Sequence, residues 1–152
     1  MRTFETSTDR QREQAACDRL ASHWRGQIET APIYQHYDRT ITEQGISKGL
    51  LEIKCRSYSH EYFAQHDYMI STVKVARLQQ AAGLRMIVPI IMVACSDDDF
   101  LLDLRDERYR IETRRVNDRA TTHTGVIMRD ESMCFFTADR FLSLRDIDTL
   151  IR

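Results

Sequence analysis

Apolar positions recur at Ala16, Leu20 and Trp24, with Cys17 and Ala21 alongside, which is one stripe of an amphipathic helix. Thr8 or Asp9 supplies a cap, so the spacing predicts a helix from there to about Trp24. Pro32 to Thr42 reads as extended chain, because Tyr34, Tyr37, Thr40, Ile41 and Thr42 favour strands. Glu43 to Gly49 holds two glycines and predicts a turn, and Gly49 to Arg56 a second strand, so the two strands form a hairpin. A polar, aromatic loop over Ser57 to Asp67 leads to a second helix, about Tyr68 to Ala82, closed by Gly83. Met86 to Cys95 is almost continuously apolar, the signature of a strand buried on both faces. Pro89 inside it argues for a strand beginning near that residue. Ser96 to Asp99 is an acidic turn, followed by short strands over Phe100 to Leu104, Tyr109 to Arg114, Gly125 to Met128 and Met133 to Thr137.

This order predicts an α/β fold with a mixed central β-sheet flanked by helices. The 152 residues fit a single domain, with a core over about 9–95 and added strands over about 96–152. Composition narrows the classes further. Lys plus Arg number 22 and Asp plus Glu 23, a formal net charge of -1. That argues against nucleic-acid binding by bulk charge, though a local basic groove stays compatible with it. No apolar run reaches the roughly 18 residues of a membrane span, and the N-terminus has no secretory apolar segment. Cys17, Cys55, Cys95 and Cys134 are scattered without zinc spacing. They read as reduced thiols of a cytoplasmic protein. P-loop, dinucleotide and nucleophile-elbow motifs are missing.

The candidate chemistry lies in Leu50-Leu51-Glu52-Ile53-Lys54-Cys55. With a side-chain period of two, Leu51, Ile53 and Cys55 share one face, and Glu52 and Lys54 share the other. Asp38 lies on the preceding strand, where the hairpin brings it beside Glu52. Two close carboxylates repel unless a cation lies between them, and hard oxygen ligands suit Mg2+ or Mn2+. Lys54 then stands ready to act on a water or on a phosphate. An acid-x-lysine alone is a weak signal, because it is usually a solvated charge pair. Glu13 adds to it: a carboxylate on the apolar stripe of the first helix is costly unless paired or metal-bound. Its bland alternative is an exposed first-turn acid favoured by the helix dipole. Lys74 falls among Ile70, Leu78 and Ala81, where a lysine snorkelling at a core edge is the bland alternative.

This pattern resembles the PD-(D/E)xK nuclease superfamily, and in particular its small phage-encoded members. Asp38, Glu52 and Lys54 match its core motif, Glu13 its first-helix acid and Lys74 its second-helix polar position. The resemblance spans about Asp9 to Cys95; Tyr37, not proline, precedes Asp38, and the second helix lacks a clean Gln-xxx-Tyr pattern. It implies a restriction-endonuclease-like core and a metal-dependent nuclease, on DNA more than on RNA. Catalytic residues would be Asp38, Glu52, Lys54 and Glu13. Asp38, Glu52 and Glu13 would serve as metal ligands, and Lys74 and Arg56 would bind phosphate. The alternative is a non-catalytic nucleic-acid- or protein-binding module on the same fold. A homodimer is compatible with so small a domain.

Other features are less specific. His36 shares the strand face of Asp38, and His60 and His66 lie in the loop after Lys54. Arg105, Arg108, Arg110, Arg114, Arg115 and Arg119 form a basic stretch that interleaved acids nearly neutralise. It reads as a salt-bridged, solvated strand or as one wall of a groove. Asp97, Asp98 and Asp99 lack the spacing of a calcium loop.

Overall fold

The computed structural model describes residues 6–32, 35, 37–117 and 128–152. The chain runs α1 (Ser7–Ala21), β1 (Gln27–Thr30), β2 (Arg39–Glu43), β3 (Ile46–Cys55), α2 (His60–Gln65), β4 (Tyr68–Ser71), α3 (Thr72–Leu84), β5 (Val88–Ala94) and β6 (Asp99–Asp103). It continues through β7 (Arg110–Asn117), β8 (Met128–Phe136), β9 (Phe141–Ser143) and α4 (Ile147–Ile151). A six-stranded sheet has the order β1-β2-β3-β5-β6-β9, and a three-stranded sheet the order β4-β8-β7. Within the larger sheet only β3 and β5 are parallel. The sheet is therefore mixed, as the element order predicts, and the β3-to-β5 crossover carries α2, β4 and α3.

Local chemistry explains the boundaries. Thr6 caps α1 in a capping box with Asp9, so the helix starts earlier than predicted and ends at Ala21, short of Trp24. Trp24 instead folds back and donates its indole N–H to the Thr42 carbonyl at 2.9 Å. The β2–β3 register shifts between Ile41 and Thr42 at that point. The hairpin turn is tight: Gln44 and Gly45 both have positive φ, at 51° and 77°, the conformation that two-residue hairpins favour. Gln27–Thr30 pairs with β2, whereas the predicted strand from Pro32 begins only at Arg39. The predicted second helix divides: Tyr68–Ser71 pairs with β8 as β4, and Ser71 caps α3 by accepting the Lys74 backbone N–H at 3.2 Å. Gly83 lies inside that helix rather than closing it. The predicted loop 57–67 contains α2, and β8 is longer than predicted. The predicted strand 125–128 falls mostly outside the described residues, as do His36 and Arg119.

Two cores sandwich the large sheet. On one face α1 and α4 cover Leu51, Ile53, Ile90 and Met92. On the other, α3 and the small sheet cover Leu50, Ile91, Val93 and Leu102. Cys17, Cys55, Cys95 and Cys134 are free thiols. Burial pushes the Cys95 thiol up to about 11, which marks it as packing rather than reactive. Among the described residues no helix is long and apolar enough to cross a membrane.

Candidate active site

Strand alternation decides which face each residue of the site meets. β3 pairs β2 as Arg39↔Leu51 and Thr40↔Leu50. Asp38, one step before Arg39, therefore lies opposite Glu52, one step after Leu51. The Asp38 backbone N–H donates to the Leu51 carbonyl at 2.9 Å. Its carboxylate Oδ2 accepts the Ile53 backbone N–H at 2.7 Å, which locks its position against β3. Both acids are buried, Asp38 at 7% exposure and Glu52 at 4%.

Glu52 is the centre of the arrangement. The Nζ of Lys54 and the Nζ of Lys74 each lie 2.9 Å from the same oxygen, Glu52 Oε1. Lys54 comes two residues along β3 on the same face, and Lys74 from the first turn of α3, which packs over that face. Burial raises the Glu52 carboxyl, but the two ammonium groups outweigh it. The group sits below the ordinary carboxylate range and is ionised at neutral pH. Sequence spacing thus brought Asp38, Glu52, Lys54 and Lys74 to one place. The Lys74 spacing counted Ile70 into a helix, whereas Ile70 lies in β4; the lysine reaches the site because α3 begins two residues before it.

Glu13 lies apart from this cluster. It is buried on α1 and accepts from the Arg39 guanidinium at 2.7 Å. The same guanidinium nitrogen donates to the Asp38 carbonyl at 3.0 Å. Arg39 points to the α1 face, opposite the one that carries Glu52, and so ties the first helix to the backbone of Asp38. Sequence reasoning missed Arg39. The available signal was its position next to Asp38, which strand alternation turns toward Glu13.

A groove of about 800 Å³ opens beside the lysines. Its charged lining among the described residues is Lys54, Arg56, Lys74, Arg77, Arg129 and Glu131, five cations to one acid. Arg77 follows Lys74 by three residues on one helix face, and Arg129 comes from β8. Arg56 donates to the Cys55 carbonyl at 3.1 Å and lies with its guanidinium carbon 5.6 Å from the Tyr68 ring centroid. The chain is close to neutral overall, yet this groove is basic, the local condition for holding a phosphate backbone.

The basic stretch resolves mostly into ion pairs. Arg110 pairs with Asp67 and Glu112, Arg114 with Glu112, Arg105 with Asp103 and Arg108 with Asp106. The acidic turn is also used structurally: Asp97 holds His60 and Asp99 holds Arg19.

Among the described residues, no three His, Cys, Asp or Glu side chains stand together as a metal cage. Two carboxylates on neighbouring strands, beside a basic groove, still suit a hard cation. Mg2+ commonly takes one or two protein carboxylates and completes its shell with water and substrate phosphate.

The model of a family described as "Phage putative PDDEXK endonuclease" matches residues 1–144. No curated protein matches the chain in sequence. Among solved structures, the Holliday junction resolvase Hjc of the archaeal hyperthermophile Archaeoglobus fulgidus is similar in fold. It is 10% identical with a TM-score of 0.50, over 86% of this chain and 97% of that one. The likeness shows the restriction-endonuclease-like fold that the family resemblance implied.

Proposed function

We propose, on the premise that the chain belongs to the phage PDDEXK endonuclease family, that it hydrolyses phosphodiester bonds of DNA with a divalent cation. The observation that carries this reading is the buried Glu52 carboxylate, clamped by Lys54 and Lys74 and facing Asp38 across the β2–β3 pairing. A solvated charge pair needs neither that burial nor a second lysine. Asp38 and Glu52 would hold Mg2+ or Mn2+, which when bound polarises a phosphate and eases deprotonation of a water. Lys54 would orient the attacking water and offset negative charge on the scissile phosphate. Lys74, Arg77 and Arg56 would carry the phosphate charge along the groove. Glu13 would act through Arg39, fixing the backbone of Asp38, rather than as a direct ligand.

The test is cleavage of labelled single-stranded, duplex and branched DNA, and of RNA, with Mg2+ or Mn2+. Wild type runs beside Glu52→Ala, Lys54→Ala and Asp38→Asn. Metal-dependent cutting, lost in all three variants, is the expected result. A folded wild type that binds these nucleic acids but cuts none of them would overturn the reading and leave a binding module.

A further inference from the structure

A second cleft, of about 570 Å³, adjoins the basic groove and plays no part in the chemistry above. Its volume lies within the range of small-molecule sites. Its outer wall is a ladder of rings at four-residue spacing. The Tyr58 and Tyr62 centroids are 4.8 Å apart, and Tyr62 stacks on His66 at 3.9 Å with an interplanar angle of 13°. Tyr58 packs against the core, whereas Tyr62 and His66 are exposed. α2 is anchored from its other side by Phe63, which stacks on Phe100 at 4.5 Å and meets Phe141 edge-on at 4.7 Å. Tyr62 meanwhile stays 48% exposed.

Two cations border the cleft. Among the described residues, Arg56 lies in its wall as the cation without an acidic partner there, and Arg110, paired with Asp67 of the same cleft, adds a guanidinium whose carbon is 4.5 Å from the Phe135 centroid. Arg56, Tyr68 and Met69 line both this cleft and the groove beside Lys54 and Lys74. The two spaces are therefore neighbours with a common wall, and Arg56 borders both the lysines and the aromatic ladder. Flat rings flanked by guanidinium groups match a nucleotide, with a base to stack and a phosphate to neutralise. A base inside a duplex has both faces already stacked and cannot enter without being flipped out.

We infer that this cleft binds an unpaired nucleobase of the strand whose phosphate lies in the groove. The preferred substrate is then nucleic acid with unpaired nucleotides beside the cut, at a single-stranded segment, flap or branch. The inference rests on the nuclease reading for its substrate and deepens it.

The probe is an oligonucleotide carrying 2-aminopurine, placed either in a single-stranded overhang or in a fully paired duplex. Binding is measured without divalent cation, so that stacking is read apart from cutting. Wild type should quench the unpaired probe and leave unchanged the emission of the paired one, which stacking in the duplex already holds low. Tyr62→Ala and His66→Ala should each lower the affinity ratio, unpaired over paired, by about ten-fold. Tyr62→Phe, which keeps the ring, should retain it, and unchanged circular dichroism verifies the fold of each variant. Equal quenching of both probes, or a ratio unmoved in the two alanine variants, would overturn the subsite. A wild type that quenches selectively but never cuts with Mg2+ or Mn2+ would overturn the nuclease reading and leave the subsite standing. One that cuts without selective quenching would do the reverse.

Discussion

Replacing the two lysines around Glu52, singly and together, exposes the energetics of the site. Each Nζ is 2.9 Å from one carboxylate oxygen, and the lysine side chains are about 30% exposed against 5% for Glu52. Removing one lysine as Lys54→Met or Lys74→Met leaves the other in place. The loss should then be about 1 kcal/mol, near the upper end for exposed pairs. Removing both leaves a buried carboxylate without either ammonium, and the cost should approach the roughly 3–5 kcal/mol of a broken buried pair. The double variant should therefore lose more than the two singles added together, by about 1–3 kcal/mol.

The pH dependence gives a second, sharper readout. In wild type the folded-state pKa of Glu52 lies below its ordinary value near 4.5. Its contribution is complete above that value and is lost as pH falls through the depressed one. In the double variant burial dominates and the folded-state pKa moves above the ordinary value. The folded state then binds more protons than the unfolded, so Glu52 lowers stability as pH rises through that window. Urea unfolding from pH 4 to pH 7, read by the single tryptophan, should show the Glu52-dependent slope reversing. Additive losses with an unchanged slope would refute the view of Glu52 as a buried acid held ionised by these two lysines.

Three further outcomes follow from the same geometry. Arg39→Leu removes the guanidinium that joins Glu13 to the Asp38 carbonyl. It should cost about 3 kcal/mol in urea unfolding and lower cleavage, whereas Arg10→Leu, on the exposed part of α1, should do neither. Gly26→Ala would place a methyl 2.0 Å from the Thr42 carbonyl oxygen and 2.6 Å from the Trp24 indole nitrogen. It should break the Trp24–Thr42 hydrogen bond, shift tryptophan emission to the red and lower Tm by several degrees. His60 carries a raised pKa because its ring is hydrogen-bonded to Asp97, whose charge adds to the effect. Its NMR titration should fall toward the ordinary value in Asp97→Asn; any stabilisation from this pair is present at low pH and fades as pH rises through the raised pKa.

Strand periodicity carried most of the site. An acid-x-lysine on a strand with one buried face could present its two charges in only one direction, and a short hairpin left Asp38 little choice but to face Glu52. Pairing partners were harder to read. Tyr68–Ser71 has the composition of either a helix turn or a strand, and only its distant partner in β8, Met133 to Phe136, selects the strand. Gln27–Thr30 likewise becomes a strand by adding to β2, although its own pattern is nearly all exposed. Glu13 showed its need for a partner through its place on the apolar stripe. Whether that partner was an ion or a side chain depended on how α1 crosses the sheet, which no local pattern contains. The basic groove was hidden because its cations come from β3, α3 and β8, while the conspicuous arginine stretch is largely self-neutralised.

The crossover between β3 and β5 also orders events in time. Asp38, Glu52 and Lys54 are all synthesised within one hairpin. Lys74 reaches them on a helix whose leading strand, β4, is held by β8, and Thr72 at the helix start bonds Ser132 on that same strand at 2.9 Å. A ribosome must therefore complete residue 136 before the last member of the cluster is secured. A growing chain carries the acids of a cutting enzyme without the assembled centre. Fragments ending at residue 106 should accordingly leave nucleic acid intact even where the hairpin has formed. The topology of the sheet thus delays hydrolytic competence until β8 has been made.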